Sequence, residues 1–416
     1  MVKNQNFQTL KGFRDFLGEE AQKRQWLIQK IQNTFERFGF EPLESPVLEY
    51  EELLMGKYGT EADKLIYRFE DKGGRRVAMR YDQTVPAARI ISQYKQQLIF
   101  PYKKYQIQLV WRADKPQKGR YREFLQCDAD IVGSSSLFSD AEILAVYFNI
   151  YKDIGVNLKL KINDRKQLID VIKQQGIEDA MVFSVIQSID KMDKKTPEDI
   201  TQELLKKGLH ENTIKGLFEK LQSVQPTESL QRIQDVAIKL GVQNDCIQFT
   251  PTLARGLDYY TGMIFEGYIP EYEGGSVGGG GRYDNLIKDL VGVDMPAVGF
   301  GLGFDRTFEA ADQLGKIPSR KSSSKALVTI FSPDLFEKSL EITQRLRNSN
   351  INVECSLDDT IQLDKQLKYA DRKGIPYVII IGPEEAKQNK LILKDMKSGE
   401  QETLTVEELA EKLKKN

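Results

Sequence analysis

The sequence predicts an α+β protein of more than one domain, and three observations carry that prediction. Its 416 residues exceed the length at which a single hydrophobic core stops growing. Strand-like runs dominate the first third, give way to a long helical stretch and then return. Beyond a serine- and lysine-rich connection, short apolar runs alternate with amphipathic helices, which is the pattern of a small α/β unit.

Taken in order, Leu27, Ile31, Phe35 and Phe38 recur at three- and four-residue spacing between Glu20 and Phe38, predicting an amphipathic helix stopped by Gly39. KLIYRFED, RRVAMRYD, KKYQIQLVWR and EFLQCDADIVG then read as strands, so a largely antiparallel sheet with flanking helices is expected up to about Asn157. From Asp164 to Val242 the texture is helical, as in DRKQLIDVIKQQG and ENTIKGLFEKLQ, and strand and glycine signals resume between Gln248 and Gly303. A helical module inserted into a sheet domain is the simplest account. The expected boundaries are residues 1–163 and 246–315 for the sheet domain, 164–245 for the insertion, 316–325 for a linker and 326–416 for a C-terminal α/β domain. In that last domain ALVTIFS, INVECSL and YVIIIG are expected as parallel strands.

Composition narrows the chemistry. With 29% charged and 40% hydrophobic residues the chain is an ordinary globular one, and its formal net charge of -1 advertises no polyanion partner by bulk field. The three cysteines, Cys127, Cys246 and Cys355, lie far apart without metal-ligand spacing, which suits small core residues in a reducing cytoplasm. The opening MVKNQNFQTLKGFRDF is too polar for a signal peptide, and no apolar run approaches the roughly 18 residues that cross a bilayer. A cytoplasmic protein without membrane contact is expected. One histidine occurs, His210, in a turn between helices. Serine–histidine triads and multi-histidine zinc sites are thereby set aside, and any catalysis must work by orientation and fixed charge.

Five stretches could carry such chemistry. In REFLQCDADIVG, strand alternation puts Gln126, Asp128 and Asp130 on one face, which either meets water or floors a polar pocket. Between Arg112 and Arg122, RADKPQKGRYR sets Arg112, Lys115, Lys118, Arg120 and Arg122 against Asp114 alone, a cluster of forks suited to phosphate or a solvated charge run. GFGLGFDR carries glycines at 299, 301 and 303 before Arg306, a junction where backbone and cation can hold a nucleotide, although its spacing is not the dinucleotide fingerprint. YEGGSVGGGGRYDNL is either a floppy hairpin loop or a backbone kept bare so that a flat ring can lie against it. Finally, TLARGLDYYTGMIFEG concentrates Arg255, Tyr259 and Tyr260 between glycines.

Together these segments resemble the histidyl-tRNA synthetases, class II aminoacyl-tRNA ligases, over nearly the whole chain. RGLDYYTG and GGGGRYDNL resemble that family's two signature peptides, WRADKPQKGRYREFLQCDADIVG its motif 2, GFGLGFDR its motif 3, and MRYDQTVPAAR its amino-acid-binding segment. The resemblance implies a class II antiparallel-sheet catalytic domain with a helical insertion, a C-terminal α/β anticodon-binding domain, and a homodimer with the N-terminal helix region near its interface. It implies ligation of L-histidine to tRNA(His) through histidyl-adenylate, with ATP and Mg²⁺ and no protein-ligated metal.

By motif position it assigns Arg112 and Arg255 to the α-phosphate as catalytic residues, and Arg306 to the γ-phosphate, with Asp114 and Arg120 also at ATP. The histidine set is Asp82, Gln83, Thr84, Arg112, Gln126, Asp130, Arg255, Tyr259 and Tyr260: Asp82, Thr84 and Gln126 at the ammonium end, Asp130 and Tyr260 at the ring, Tyr259 beside it. Lys115 and Gln117 would meet the tRNA acceptor end. The sequence departs from the family's usual pattern at Trp111 and Asp114 in motif 2 and at Asp305 in motif 3, and Asp82 and Asp130 stand where many bacterial members have glutamate. The competing reading is a non-catalytic paralogue, a regulatory subunit of histidine biosynthesis or a tRNA sensor, which degraded motifs would favour.

Overall fold

The computed structural model describes residues 7–55, 63–117, 119–193, 195–256, 259–358, 360 and 362–415. Lys118 of the basic loop and Leu257 and Asp258 of RGLDYYTG lie outside the described residues, as do the first six residues. The chain forms two compact units, one of Met1–Asp15 with Leu27–Ile317 and one of Phe16–Trp26 with Pro318–Asn416. In the helix Gly18–Arg37, Leu27, Ile31 and Phe35 are fully buried, as their spacing requires.

The strands of the first unit are β1 (Glu41–Pro42), β2 (Leu48–Tyr50), β3 (Arg68–Glu70), β4 (Arg76–Met79), β5 (Tyr102–Trp111), β6 (Glu123–Val132), β7 (Lys159–Asp164), β8 (Ile247–Phe249), β9 (Met263–Tyr268), β10 (Gly278–Arg282) and β11 (Ala297–Gly303). Eight build one sheet in the order β1-β5-β6-β11-β10-β9-β7-β8, antiparallel except for the pairs β1/β5 and β7/β8. The segments KLIYRFED and RRVAMRYD do not join it; β3 and β4 pair with β2 in a separate three-stranded sheet. The helix Leu137–Ile154 is capped by Ser136 and mostly buried; Tyr147 packs edge-on against Phe265 of β9 and Phe300 of β11.

Among the described residues five α-helices separate β7 from β8. The first four, from Arg165 to Ser223, share a core that includes Leu168, Ile186, Leu204 and Leu217, whereas the fifth, Glu228–Lys239, packs on the helix Leu137–Ile154. His210 sits exposed at the start of the fourth.

YEGGSVGGGGRYDNL contains no floppy hairpin loop at its four consecutive glycines. They form β10, held between β9 and β11, and the sheet leaves no room there for a side chain: a Cβ on Gly280 would lie 1.9 Å from the carbonyl oxygen of Gly299. Gly280→Ala is expected to cost about 3 kcal/mol of stability, read from denaturant unfolding, because the obstacle is backbone and not a side chain that can turn aside. An unchanged midpoint would show that the strands part freely.

In the second unit β12 (Ala326–Val328) pairs in parallel with β13 (Val353–Cys355) and β14 (Tyr377–Ile380). The three strands expected to be parallel are so, and two further strands extend the sheet. β15 (Leu391–Asp395) and β16 (Gln401–Leu404) add antiparallel to β14 and to each other, because the five residues between them can close a hairpin but not a parallel crossover.

Candidate active site

The face of β6 that alternation singles out floors a cavity of about 1100 Å³. Gln126, Asp128 and Asp130 all line it, so the pocket alternative holds over bulk solvent. Register explains how three polar side chains fit there. Across the β6/β11 ladder Asp130 faces Gly299, Asp128 faces Gly301 and Gln126 faces Gly303. A Cβ on Gly299 would come within 1.9 Å of Asp130 Oδ1 and one on Gly301 within 3.1 Å of Asp128 Oδ1, so these two glycines clear space for their cross-strand partners.

Asp130 is 6% exposed and heavily engaged. The Tyr283 hydroxyl donates to its Oδ1 at 2.5 Å, and the Lys104 ammonium meets Oδ2 at 2.6 Å. Lys104, itself 1% exposed, projects from the neighbouring strand β5 and also donates to Gln106 Oε1 at 2.7 Å. Burial pushes the Asp128 carboxyl up to about 8; Lys104 opposes the shift and Asp130 adds to it. Tyr259 and Tyr283 are raised well above the ordinary phenol range by burial, so both remain protonated at neutral pH. The rings of Tyr259 and Tyr260 lie 4.7 Å apart and those of Tyr259 and Tyr283 5.9 Å apart, an aromatic wall beside Asp130.

Arg255 reaches the cavity from strained backbone, with φ 53, a region that costs a side-chain-bearing residue roughly 1–2 kcal/mol. The surrounding chain holds it there. Buried Arg165 donates from Nη1 to the carbonyls of Ala254 (2.8 Å) and Arg255 (3.3 Å), and Asn163 Nδ2 donates to those of Pro251 (2.9 Å) and Leu253 (2.8 Å). The Arg255 guanidinium donates to Glu266 Oε1 at 3.3 Å.

Arg112 lies over the Tyr81 ring, 4.4 Å from its centroid, donates from Nε to the Tyr81 carbonyl at 3.0 Å, and lines the cavity. Arg306 donates from Nη1 to the Ser276 carbonyl at 2.8 Å, and its neighbour Asp305 is paired at 2.9 Å with Arg14. Asp114 and Arg120 line the mouth, where a reciprocal backbone pair between Gln117 and Arg120 turns the loop. Asp82 and Thr84 complete the wall ahead of and at the start of the helix Thr84–Tyr94, Asp82 Oδ1 accepting from the Val85 amide at 3.2 Å.

Three residues named from the motifs do not line the cavity. Gln83 is fully buried and donates from Nε2 to the carbonyls of Gln108 (3.0 Å) and Gln126 (2.9 Å), so its side chain links β5 and β6. Lys115 and Gln117 are exposed on the loop outside. The sequence reading placed Asp128 on the polar face without giving it a role, and it missed Lys104, Tyr283 and Arg165. Lys104 had a signal: with Gln106 and Gln108 it makes a second polar period-two stripe, which the register sets beside the stripe of β6.

An antiparallel sheet whose cavity is lined by half-buried arginines, beside a tyrosine-walled acidic recess and followed by an α/β unit, defines a class II aminoacyl-tRNA synthetase. Residues 12–307 match the histidyl-tRNA synthetase family and residues 325–416 the anticodon-binding domain family. The histidine–tRNA ligase of Christiangramia forsetii is 38% identical over 450 residues, covering 97% of this chain and 98% of that protein. That of Gloeobacter violaceus is 38% identical over 448 residues, covering 95% and 96%. The crystal structure of histidyl-tRNA synthetase from Nostoc sp. PCC 7120 superposes with a TM-score of 0.87 at 29% identity over 99% of both chains. The chain belongs to the histidyl-tRNA synthetase family, and its activity is the ATP-dependent ligation of L-histidine to tRNA(His). Nothing in these likenesses favours the regulatory paralogue.

Proposed function

We propose that the cavity holds the histidine and MgATP of the activation step side by side, with the reacting carboxylate and α-phosphoryl group between Arg112 and Arg255. The convergence of both guanidiniums on one cavity with Asp130 and Tyr260 is the observation that carries this reading. In the first step a carboxylate oxygen of histidine attacks the α-phosphorus and pyrophosphate leaves with the bond's electron pair. Negative charge builds on the phosphoryl oxygens, and fixed cations offset it without having to reorganise. In the second step a ribose hydroxyl at the tRNA 3′ end attacks the carbonyl carbon and AMP departs. Arg306 receives the γ-phosphate. Mg²⁺ enters with the nucleotide as part of the substrate and shares the phosphate charge. Asp82, Thr84 and the Gln126 oxygen take the α-ammonium. Asp130 and Tyr260 take the imidazole nitrogens, with Tyr259 packed beside the ring.

A recess that pairs both ring nitrogens strands its own polar groups when an apolar isostere enters, a penalty of about 10⁴ to 10⁵ in selectivity. Separate editing is then unnecessary. The exposed loop with Lys115, Gln117 and Arg120 faces the acceptor end, the second unit reads the anticodon, and the boundaries 1–163, 164–245, 246–315 and 326–416 describe the working modules. A homodimer is part of this reading. Leu48, Tyr50 and Phe69 are exposed on one face of the three-stranded sheet, an apolar surface of the kind a second copy covers. The protein works in the cytoplasm, where its free thiols stay reduced.

The two ends of the cavity separate kinetically. In histidine-dependent ATP–pyrophosphate exchange, Gln126→Ala is expected to raise KM for histidine about tenfold with KM for ATP unchanged, and Arg306→Ala to do the reverse. Parallel changes in both constants for both variants would overturn the division of the site.

A further inference from the structure

One buried acid has no task in the scheme above. Asp128 lies between Gln126 and Asp130 on β6, shares their face, lines the cavity and is 3% exposed. Gln126 Nε2 donates to both of its oxygens, at 3.0 and 2.7 Å. An amide has a donor end and an acceptor end, and only the oxygen can receive an ammonium. With the nitrogen end held against Asp128, Oε1 is left to face a ligand. Reversed, the amide would set oxygen against carboxylate oxygen and would offer hydrogens to a group that has no lone pair to accept them.

We propose that Asp128 is a positioning residue for the amino-acid substrate, acting through Gln126: it fixes the amide so that Oε1 receives the α-ammonium. The inference rests on the ammonium lying at Gln126, as proposed above. The charged groups around Asp128 favour it. Asp82 stands ahead of the helix Thr84–Tyr94, Lys104 projects from β5 and Asp130 follows on β6, while β5 and β11 oppose Asp128 itself with neutral Gln106 and Gly301. Before substrate binds, burial beside two other carboxyl groups keeps a proton on Asp128 near neutral pH, and the acid can then pair with either end of the amide. An arriving ammonium adds positive charge, the proton passes to solvent, and the resulting carboxylate, which only accepts, holds Nε2 and turns Oε1 to the ligand.

The test is Asp128→Asn in the full chain, read by histidine-dependent ATP–pyrophosphate exchange. An asparagine can present its own hydrogens to Gln126 and no longer dictates which way the amide turns. KM for histidine is expected to rise about tenfold, with kcat and KM for ATP within about twofold. Inhibition by 3-(imidazol-4-yl)propionate, which is histidine without its amine, is expected to stay within about twofold, since that ligand makes no use of Oε1. Equal weakening of histidine and the amine-free analogue would reduce Asp128 to a structural part of the recess and overturn the proposal, as would an unchanged KM for histidine. Asp128→Ser, which adds no volume, repeats the measurement if the first variant does not fold. Should Gln126→Ala leave KM for histidine unchanged, the placement of the ammonium fails; should it raise that KM while Asp128→Asn does not, only this inference fails.

Discussion

Replacing Arg255 by alanine is expected to slow histidyl-adenylate formation by about 10² to 10³, the loss that follows removal of one preorganised donor to a developing negative charge. The expectation rests on geometry that the chain goes to some length to keep. Arg255 adopts φ 53, and Arg165 and Asn163 tie the backbone through three carbonyls on its N-terminal side and its own. Strain of this kind persists where surrounding contacts over-determine it, and here it aims a guanidinium into the cavity. Pyrophosphate exchange at saturating histidine and ATP is the measurement. A rate near that of the unmodified chain would remove Arg255 from the phosphoryl end of the site.

The second large effect is expected at Lys104. Lys104→Met keeps the volume of the stem and removes the ammonium 2.6 Å from Asp130 Oδ2, leaving a buried carboxylate with the Tyr283 hydroxyl and without its cation. Breaking a buried pair on one side costs about 3–5 kcal/mol. Denaturant unfolding of the variant should show a loss of that size. The double variant Lys104→Met with Asp130→Asn should recover most of it, because the uncompensated charge is then gone. If the single variant unfolds at the same denaturant concentration as the parent, the pair is not what holds Asp130 in place.

What could be read from the sequence depended on whether the cause was local. Alternation assigns Gln126, Asp128 and Asp130 to one face in any sheet, so that reading needed no tertiary knowledge. The helix of Leu27, Ile31 and Phe35 was legible for the same reason. The purpose of Gly299 was hidden, because it follows from a register between strands more than 160 residues apart. Lys104 was visible as a polar residue in a strand, but only its pairing opposite Asp130 makes it a counter-ion. Gln83 differs again: it adjoins two residues that do line the cavity, and motif adjacency does not say which way a side chain points at the head of a helix. Arg165 looked like any basic residue opening an amphipathic helix, and nothing within ten residues of it announces that it supports a loop 90 positions away.

The adjacency of β7 and β8 bears on the helical insertion. They run side by side in parallel, Leu160 opposite Ile247, so the excursion departs and returns one strand spacing apart, about 4.8 Å. Neighbouring parallel strands always require a crossover of a dozen residues or more, and the helix Glu228–Lys239, lying on Leu137–Ile154, already has the form of one. The four preceding helices are thus a bud on an ordinary βαβ link, and the order of the eight strands does not depend on them.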